Sequence, residues 1–305
     1  RQMCIRDRLL LMALMAVMAV GLIACGTDKS DNESTKEEKT SVTITSLDAS
    51  KNEIELEVPY NPKRIAILDL ASLDIIDELG VGDRVVGMAS TSIDYLEKYS
   101  NDASIKNLGT IKEADLEAVM ECEPDIIFIG GRLSKSYDAL SEIAPVVYLA
   151  TDTNEGLVNS VSKNAKTIAS IFGMEDKVDS LMSDFGARID AIKKISSGKT
   201  ALVGMTTSGS FNLLGNDGRC SLIGVEAGFN NLTAAGSTST HGNESSFETV
   251  VQQNPDYIFV MDRDSAISTA GAKTAKEIVE NELVKTTDAY KNNHIIYLEH
   301  SNVWY

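Results

Sequence analysis

One stretch of sequence occurs twice, and it constrains the fold more than any other feature of the chain. The first copy spans residues 115–129 (DLEAVMECEPDIIFI) and the second spans residues 246–260 (SFETVVQQNPDYIFV). In each copy a Glu is followed seven residues later by Pro-Asp, and an apolar run follows the Pro-Asp. Proline disfavours helical geometry in the residue before it, so each copy predicts a helix, a stop and a buried strand. Two such copies indicate two lobes built on one plan.

The rest of the chain alternates predicted strands with predicted helices, which is the pattern of an α/β protein with parallel sheets. At 305 residues, 43% of them apolar, the chain is long enough for two ordinary domains. Residues 42–44 and 54–58 predict a hairpin. The other predicted strands cover 65–68, 85–88, 126–129, 146–149, 200–204, 257–260 and 295–298, and the predicted helices cover 71–79, 157–172, 175–195, 222–227 and 274–283.

A long amphipathic segment separates the two predicted lobes. Apolar residues recur at helical spacing from Val178 to Ile195. At about 1.5 Å per residue, such a helix is roughly 31 Å long and can reach between two lobes. We therefore expect an N-terminal lobe at 41–173, a connecting helix at 174–196 and a C-terminal lobe at 197–305.

The N-terminus has the pattern of a lipoprotein signal peptide at residues 1–24. Arg6 and Arg8 precede an apolar run of 15 residues, which is too short to span a bilayer comfortably and suits a signal-peptide core. The run ends in Leu22-Ile23-Ala24-Cys25, which resembles the lipobox whose cysteine is lipidated and becomes the first mature residue. An ordinary signal peptide with an incidental Cys25 is the alternative. The polar residues 25–40 predict a disordered tether.

Charge and cysteine content exclude several classes of function. The formal net charge of −17 argues against a nucleic-acid partner, which needs a basic face. The four cysteines form no Cys-x-x-Cys pair, so Cys122 and Cys220 are expected to be small buried residues rather than a bridge. The sequence has no Gly-x-Gly-x-x-Gly, Walker-type, Gly-x-Ser-x-Gly or His-Glu-x-x-His motif, so an enzyme is the weaker class.

Four further motifs carry a resemblance to a known family. They are Gly130-Gly131-Arg132, Gly218-Arg219-Cys220-Ser221-Leu222-Ile223, Asp262-Arg263-Asp264 and Trp304-Tyr305. With the lipobox and the paired units, they resemble the substrate-binding lipoproteins of ABC importers. Within that family the chain is most similar to the iron–siderophore binders of the petrobactin and enterobactin-type catecholate group.

The resemblance implies a fold, a ligand and partners. The expected fold is the class III periplasmic-binding-protein fold, with two Rossmann-like lobes, central parallel sheets and one rigid joining helix. The implied ligand is a ferric siderophore, with no intrinsic cofactor. The implied partners are the permease dimer of an ABC importer with its ATPase subunits, and the membrane through a lipid anchor on the extracytoplasmic face. We expect a monomer.

Two positions depart from the family pattern. Cys220 stands where family members often have an aromatic residue. Family members also continue past the equivalent of Trp304-Tyr305 into a further strand or loop and a final helix, so the C-terminal lobe is expected to be incomplete in this sequence.

Three arginines form the expected binding site. Arg132, Arg219 and Arg263 each follow a Gly or Asp at a predicted strand end or in a loop. Ligands of open α/β sheets bind beyond the carboxyl ends of the strands. A ferric catecholate is an anion rich in oxygen acceptors, and arginine stays charged, donates in a planar fork and stacks on aromatic rings. A single arginine is better explained as a surface residue or an ion-pair partner, whereas three at these positions favour a site.

Two further pairs of residues complete the predicted functional set. In some relatives a His and a Tyr complete the iron coordination when the siderophore supplies fewer than six donors. The resemblance therefore implies that His241 and Tyr305 are iron ligands. The alternatives are that His241 is a solvated loop residue and that Tyr305 is a packing residue. In this transporter class one Glu on each lobe engages basic residues of the permease, which implies Glu117 and Glu248. Stabilisation of the helix dipole is the structural alternative for both glutamates.

Other functions remain open at the level of the sequence. The same class of protein could bind haem, cobalamin or another metal chelate. A lipid-anchored adhesin or structural protein is a further alternative, and an enzyme on a two-lobe α/β fold is the weakest.

Overall fold

A computed structural model describes residues 39–152, 156–233, 239, 241–267, 269–299 and 304. The described residues form one compact unit. The predicted signal peptide, Cys25 and most of the predicted tether lie outside the described residues. Within the described part of the chain, no helix combines the length and the apolar character that a membrane span requires.

The first lobe is built on a parallel sheet with the strand order β5-β4-β3-β6-β7. The antiparallel hairpin of β1 and β2 lies beside it as a separate two-stranded sheet and confirms the predicted hairpin. The strands are β1 Ser41–Leu47, β2 Glu53–Pro59, β3 Ile65–Leu68, β4 Val85–Met88, β5 Lys106–Asn107, β6 Ile126–Ile129 and β7 Val146–Tyr148. The helices are α1 Leu70–Glu78, α2 Glu97–Ser100, α3 Leu116–Glu121 and α4 Tyr137–Ser141, with 3-10 turns at Gly82–Arg84, Asp94–Leu96 and Gly131–Ser136.

The central strands of this sheet are covered on both faces, as their uninterrupted apolar runs predict. Every residue of β3 and of β6 is buried. Ile65 and Ile67 pack into a core cluster with residues of α1, whereas Ala66 and Leu68 pack into a second cluster with residues of α3. Successive side chains of a strand point to opposite faces, so one sheet carries two cores.

The second lobe has a mixed sheet with the order β11-β9-β8-β12-β13, to which β10 adds by pairing with β8. Strands β10, β8, β12 and β13 are parallel, and β9 and β11 run antiparallel to their neighbours. The strands are β8 Thr200–Thr207, β9 Ser210–Leu213, β10 Asn230–Asn231, β11 Asn243–Glu244, β12 Tyr257–Asp262 and β13 Ile295–Tyr297. The helices are α7 Ser221–Gly224, α8 Phe247–Gln253, α9 Arg263–Ala266, α10 Ala275–Val279 and α11 Asp288–Lys291, with a 3-10 turn at Val284–Thr286.

Along the sequence, two long helices follow the first sheet and precede the second: α5 Leu157–Phe172 and α6 Glu175–Ser196. Helix α5 ends at Gly173, which has the left-handed conformation (φ 68°) that favours glycine. Helix α6 has 22 residues, and only Val178, Ile189 and Ser196 among them are buried. A long helix at this place agrees with the predicted connecting helix, and the exact domain boundaries at 41–173, 174–196 and 197–305 stay predictions.

Two predicted helices are shorter than expected. The helix predicted at 222–227 ends at Gly224. Beyond it the chain forms a turn in which the N–H of Ala227 donates to the carbonyl of Leu222, five residues earlier, at 2.7 Å. The helix predicted at 274–283 ends at Val279, because the Asn281 side chain accepts from the N–H groups of Leu283 and Val284 and so competes with the helix.

The repeated units have matching ends in the two lobes. Helix α3 begins at the capping residue Asp115, whose carboxylate accepts from the N–H of Ala118, and α8 begins in the same way at Ser246. Each helix is followed by a residue with a positive φ, Glu123 at 44° and Asn254 at 41°, directly before the proline. Each unit therefore folds as the predicted helix, stop and strand.

Candidate functional site

Arg132 lies just beyond the carboxyl end of strand β6, on the 3-10 turn Gly131–Ser136. Leu133 is buried and anchors this turn, whereas Arg132 is exposed. Gly130 lies so close to Asp69 that a Cβ at this position would be 2.6 Å from the Oδ1 atom. The backbone around Arg132 is therefore held tightly against the sheet while the guanidinium stays accessible.

Arg263 lies directly beyond the carboxyl end of strand β12, as the first residue of α9. Its Nη1 atom donates to Oγ1 of Thr207 at 3.3 Å. Thr207 is the last residue of the neighbouring strand β8. The same nitrogen is 3.5 Å from Asp264 Oδ1, and the side chain of Arg263 is 23% exposed. The guanidinium is thus positioned across the ends of two parallel strands.

The two aspartates beside Arg263 are structural. Asp262 caps α9 by accepting from the N–H of Ser265 at 3.0 Å, and its other oxygen accepts from the N–H of Ala275 at 2.9 Å. The buried Asp264 accepts from the N–H of Ser208 at 2.7 Å. Sequence reasoning used the Asp262-Arg263-Asp264 motif only for its arginine and missed the carboxylates that hold the arginine's backbone and side chain in place.

A cavity of about 350 Å³ opens next to this motif. It is bounded by the β8–β9 turn at Ser208 and Gly209, by Asp264 and by residues 269–273. The cavity lies at the carboxyl end of β8, which is the edge where an open α/β sheet binds its ligand. A concave surface therefore lies beside the Asp262-Arg263-Asp264 motif, and Asp264 rather than Arg263 belongs to its lining.

Arg219 lies in the segment between β9 and α7 and is half-buried. The next residue, Cys220, has a left-handed backbone (φ 60°) and packs in a core cluster with Phe229 and Phe259. Burial raises the pKa of the Cys220 thiol to about 12, and the charge of Arg219 opposes this shift. Cys220 therefore serves as a small core residue in its lobe, as Cys122 does in the other, and both are free thiols.

His241 is exposed, and its backbone is attached to the sheet. Its carbonyl accepts from Asn212 Nδ2 at 2.9 Å, and the following Gly242, with φ 74°, packs directly on β9. Tyr305 lies outside the described residues. Within the described residues, no group of three or more His, Cys, Asp or Glu side chains is arranged to hold a metal ion. Iron contact by His241 and Tyr305 stays a prediction.

Glu117 and Glu248 occupy matching places in the two lobes. Glu117 lies in the first turn of α3, and Glu248 lies in the first turn of α8. Both side chains are exposed. This geometry is compatible with permease docking and with stabilisation of the helix dipole. An exposed carboxylate at a helix N-terminus interacts favourably with the helix dipole and can also face a partner.

The two lobes also meet through a carboxylate that the sequence did not reveal. Glu226, which follows α7 in the second lobe, accepts from the N–H of Val158 in the first turn of α5 at 3.1 Å. The capping position of α5 is Gly156, which has no side chain to cap the helix. Glu226 therefore supplies the cap from a distant part of the chain.

The fold and the comparisons with known proteins define the class of protein to which this chain belongs. The family model described as periplasmic binding protein matches residues 65–301, and the chain belongs to this family. The petrobactin-binding protein YclQ of Bacillus subtilis is 36% identical over 305 residues, covering 97% of this chain and 92% of YclQ. The crystal structure of YclQ matches with a TM-score of 0.77 and 37% identity, covering 87% of this chain and 91% of that chain.

Two further relatives agree with this assignment. The crystal structure of the catecholate-siderophore-binding protein VctP of Vibrio cholerae matches with a TM-score of 0.77 and 30% identity, covering 87% of this chain and 93% of that chain. YhfQ of Bacillus subtilis, a putative ABC transporter substrate-binding lipoprotein, is 25% identical over 311 residues, covering 96% of this chain and 91% of YhfQ. These relatives are binding proteins and not enzymes, which confirms the predicted class, and the class III fold is confirmed by the same structures.

Proposed function

We propose that this protein captures a ferric siderophore, of the catecholate type, in the cleft between its two lobes and delivers it to the permease of an ABC importer. The observation that carries the proposal is the 36% identity to a petrobactin-binding protein along nearly the whole chain. The catecholate-binding relative VctP supports the same ligand class. The ferric siderophore is the transported cargo.

The proposed binding groups are Arg132, Arg219 and Arg263. In a chain with a net charge of −17, an anionic ligand needs a local positive region to overcome the general repulsion. The exposed Arg132 and the partly exposed Arg263 both follow strand ends, where they can donate to catecholate oxygens. His241 and Tyr305 are proposed as additional iron ligands for siderophores that leave coordination positions open.

We further propose how the protein is anchored and how it docks. Lipidation at Cys25 would hold it on the extracytoplasmic face of the cell membrane as a monomer. Glu117 and Glu248 would engage basic groups of the two permease subunits, which act with their ATPase subunits. The exposure of both glutamates and their equivalent places in the two lobes support this assignment.

Direct titration of the full chain tests the ligand assignment. Ferric petrobactin should quench the intrinsic fluorescence of the chain, which has one Trp and nine Tyr residues. Cobalamin and haem, titrated in the same buffer, serve as the competing ligands. Tight binding of cobalamin or haem, with no response to ferric petrobactin or to a ferric enterobactin-type siderophore, would contradict the proposed function.

A further inference from the structure

The surface around Glu117 contains an exposed apolar pair. Leu116 is 37% exposed and Met120 is 54% exposed, and both belong to helix α3. Residues four positions apart lie one above the other on a helix, so the two side chains form one continuous patch. Glu117 is adjacent to Leu116 in the chain and is also exposed. An apolar patch beside a charged side chain is the usual composition of an interaction surface.

The corresponding residues of the second lobe are not exposed in the same way. In the repeat, Leu116 corresponds to Phe247 and Met120 corresponds to Val251. Phe247 is half-buried and stacks on the buried Phe211, with ring centroids 6.3 Å apart and an angle of 3° between the rings. The second lobe therefore packs Phe247 against its own core and leaves Val251 half-buried, whereas the first lobe exposes both Leu116 and Met120.

The charges near the patch indicate what kind of surface it fits. Residues 112–121 contain four carboxylates and one lysine. One of these carboxylates, Glu121, is neutralised by an ion pair with Lys106 on strand β5. A partner of opposite charge is attracted to the remaining carboxylates, and apolar atoms at its centre can cover the pair. A second copy of this chain, which would bring the same negative charges, is disfavoured on this ground.

We propose that Leu116 and Met120 form the apolar centre of the docking contact with the permease subunit that receives Glu117. This inference rests on the proposed function, because it assumes that Glu117 and Glu248 face the permease. Docking is then unequal in the two lobes: the first lobe adds a salt-insensitive apolar contact, and the second lobe docks through charge alone. Methionine suits such a contact because its flexible thioether adapts to irregular surfaces.

Equilibrium docking to the permease–ATPase complex in lipid nanodiscs tests this proposal. The full chain loaded with ferric petrobactin is compared with the double variant Leu116→Gln/Met120→Gln, since glutamine is polar and a good helix former. The matched control is Ile195→Gln in the last turn of α6, where the isoleucine is 61% exposed. Unchanged thermal unfolding and unchanged siderophore binding establish that each variant is folded.

The dependence on salt separates the two kinds of contact. The Leu116→Gln/Met120→Gln variant should dock about 10- to 100-fold more weakly at low and at high salt, since apolar contacts are not screened. The Glu117→Gln variant should lose affinity at low salt, and its difference from the wild type should shrink as salt rises. Ile195→Gln should dock as the wild type does.

The possible failures are distinguishable. If the Glu117→Gln/Glu248→Gln double variant loses docking while Leu116→Gln/Met120→Gln docks normally at every salt concentration, only the present inference is overturned. If all of these variants dock normally, the docking assignment in the proposed function is wrong as well. A third outcome is that the wild type forms a concentration-dependent dimer in sedimentation, and that Leu116→Gln/Met120→Gln abolishes this dimer but docks normally. The patch is then a self-association surface and the inference fails.

Discussion

Arg132 and Arg263 occupy the same position of the internal repeat, three residues beyond the corresponding strand residues Ile129 and Val260. The spacing between the two arginines equals the spacing between Glu117 and Glu248. The repeat therefore places a carboxylate in the first turn of its helix and a guanidinium past the carboxyl end of its strand in both lobes. The two environments differ. Arg263 contacts Thr207 and Asp264, whereas the guanidinium of Arg132 makes no hydrogen bond or ion pair with any residue that the structure describes.

Replacing the arginines of the proposed site should weaken the affinity for a ferric siderophore. Hydrogen bonds to charged groups contribute roughly 1.5–3 kcal/mol, so Arg132→Ala, Arg219→Ala and Arg263→Ala should each weaken binding by about 10- to 100-fold. Arg132→Lys and Arg263→Lys should fall between the wild type and the alanine variants, because lysine keeps the charge and loses the planar fork. Fluorescence titration with ferric petrobactin measures the change.

The control for these variants is Arg188→Ala, an exposed arginine in the middle of α6. It should leave the affinity unchanged, which separates local contacts from the effect of net charge. If the triple alanine variant binds ferric petrobactin and a ferric enterobactin-type siderophore as tightly as the wild type, the three arginines are not the site.

The aspartates of the two Pro-Asp pairs predict a shared stability effect. Asp125 accepts from the N–H groups of Lys63 and Arg64 at 2.7 and 2.9 Å, directly before β3. Asp256 accepts from the N–H and the hydroxyl of Thr200 at 2.8 and 2.9 Å, at the start of β8. Because each carboxylate fixes the start of a central strand, Asp125→Ala and Asp256→Ala should each lower the free energy of unfolding by about 1–3 kcal/mol.

Urea unfolding followed by circular dichroism checks this expectation. Asp184→Ala, on the exposed surface of α6, is the control and should stay within about 0.5 kcal/mol of the wild type. Equal stabilities of Asp256→Ala and Asp184→Ala would show that the strand-start contacts contribute nothing.

Asp256 also predicts a dependence of stability on pH. The hydrogen bond from the backbone N–H of Thr200 is the largest cause that holds the pKa of Asp256 below its ordinary value of 3.8, although partial burial opposes it. A depressed pKa in the folded state means that the stabilisation is present above pH 3.8 and is lost as the pH falls through the folded-state pKa. The difference in unfolding free energy between the wild type and Asp256→Asn should therefore shrink as the solution is acidified below that pH. A difference that stays constant on acidification would contradict the prediction.

The elements that depend on local sequence could be predicted, whereas their arrangement could not. The strands Ile65–Leu68 and Ile126–Ile129 have the predicted bounds because their apolar runs are closed by turn residues on each side. The order of strands in the sheets depends on long-range pairing, such as Asn230 with Thr200, which no local pattern specifies. The antiparallel strand β9 was missed, although Ser208-Gly209, with φ angles of 50° and 82°, forms the kind of two-residue turn that joins hairpin strands.

The candidate site was predictable only in part, for the same reason. Motif resemblance identified the arginines, and the repeat offset could have paired Arg132 with Arg263 from the sequence alone. The contact of Arg263 with Thr207 joins residues 56 positions apart and becomes visible only when β8 and β12 lie side by side. A polar loop was expected around His241, and the pairing of the following strand β11 with β9 shortens it.

The two buried cysteines should resist alkylation in the folded protein. Burial raises the pKa of Cys122, and it raises the pKa of Cys220 to about 12. Since only the thiolate reacts, a pKa near 12 lowers the reactive fraction of Cys220 at mildly alkaline pH by about a thousandfold or more relative to a free thiol. Iodoacetamide labelling read by peptide mass spectrometry should show both sites protected in buffer and both labelled in urea. Rapid labelling of Cys220 in the native protein would contradict its placement in the core.

Glu226 caps α5 across the two lobes. Its Oε1 atom accepts from the N–H of Val158, and a Cβ on Gly156 would lie 3.2 Å from the same oxygen. The Oε2 atom is buried and has no hydrogen-bond partner in the part of the chain that the structure describes. A carboxylate at a helix N-terminus stabilises the helix through the dipole and the capping hydrogen bond, whereas the unpaired oxygen offsets part of that gain.

We therefore expect Glu226→Ala to lower the free energy of unfolding by about 1 kcal/mol. Hydrogen exchange should locate the effect: the amide of Val158 should exchange faster in the variant, and the amide of Val203 in the centre of β8 should not change. Glu226→Gln keeps an acceptor oxygen and loses the charge, so its effect should be smaller than that of Glu226→Ala. A contact between the lobes restrains their relative motion, so the variant should also change the rates of ferric petrobactin binding and release. If exchange at Val158 and the unfolding free energy of Glu226→Ala both equal those of the wild type, Glu226 does not act as the cap of α5.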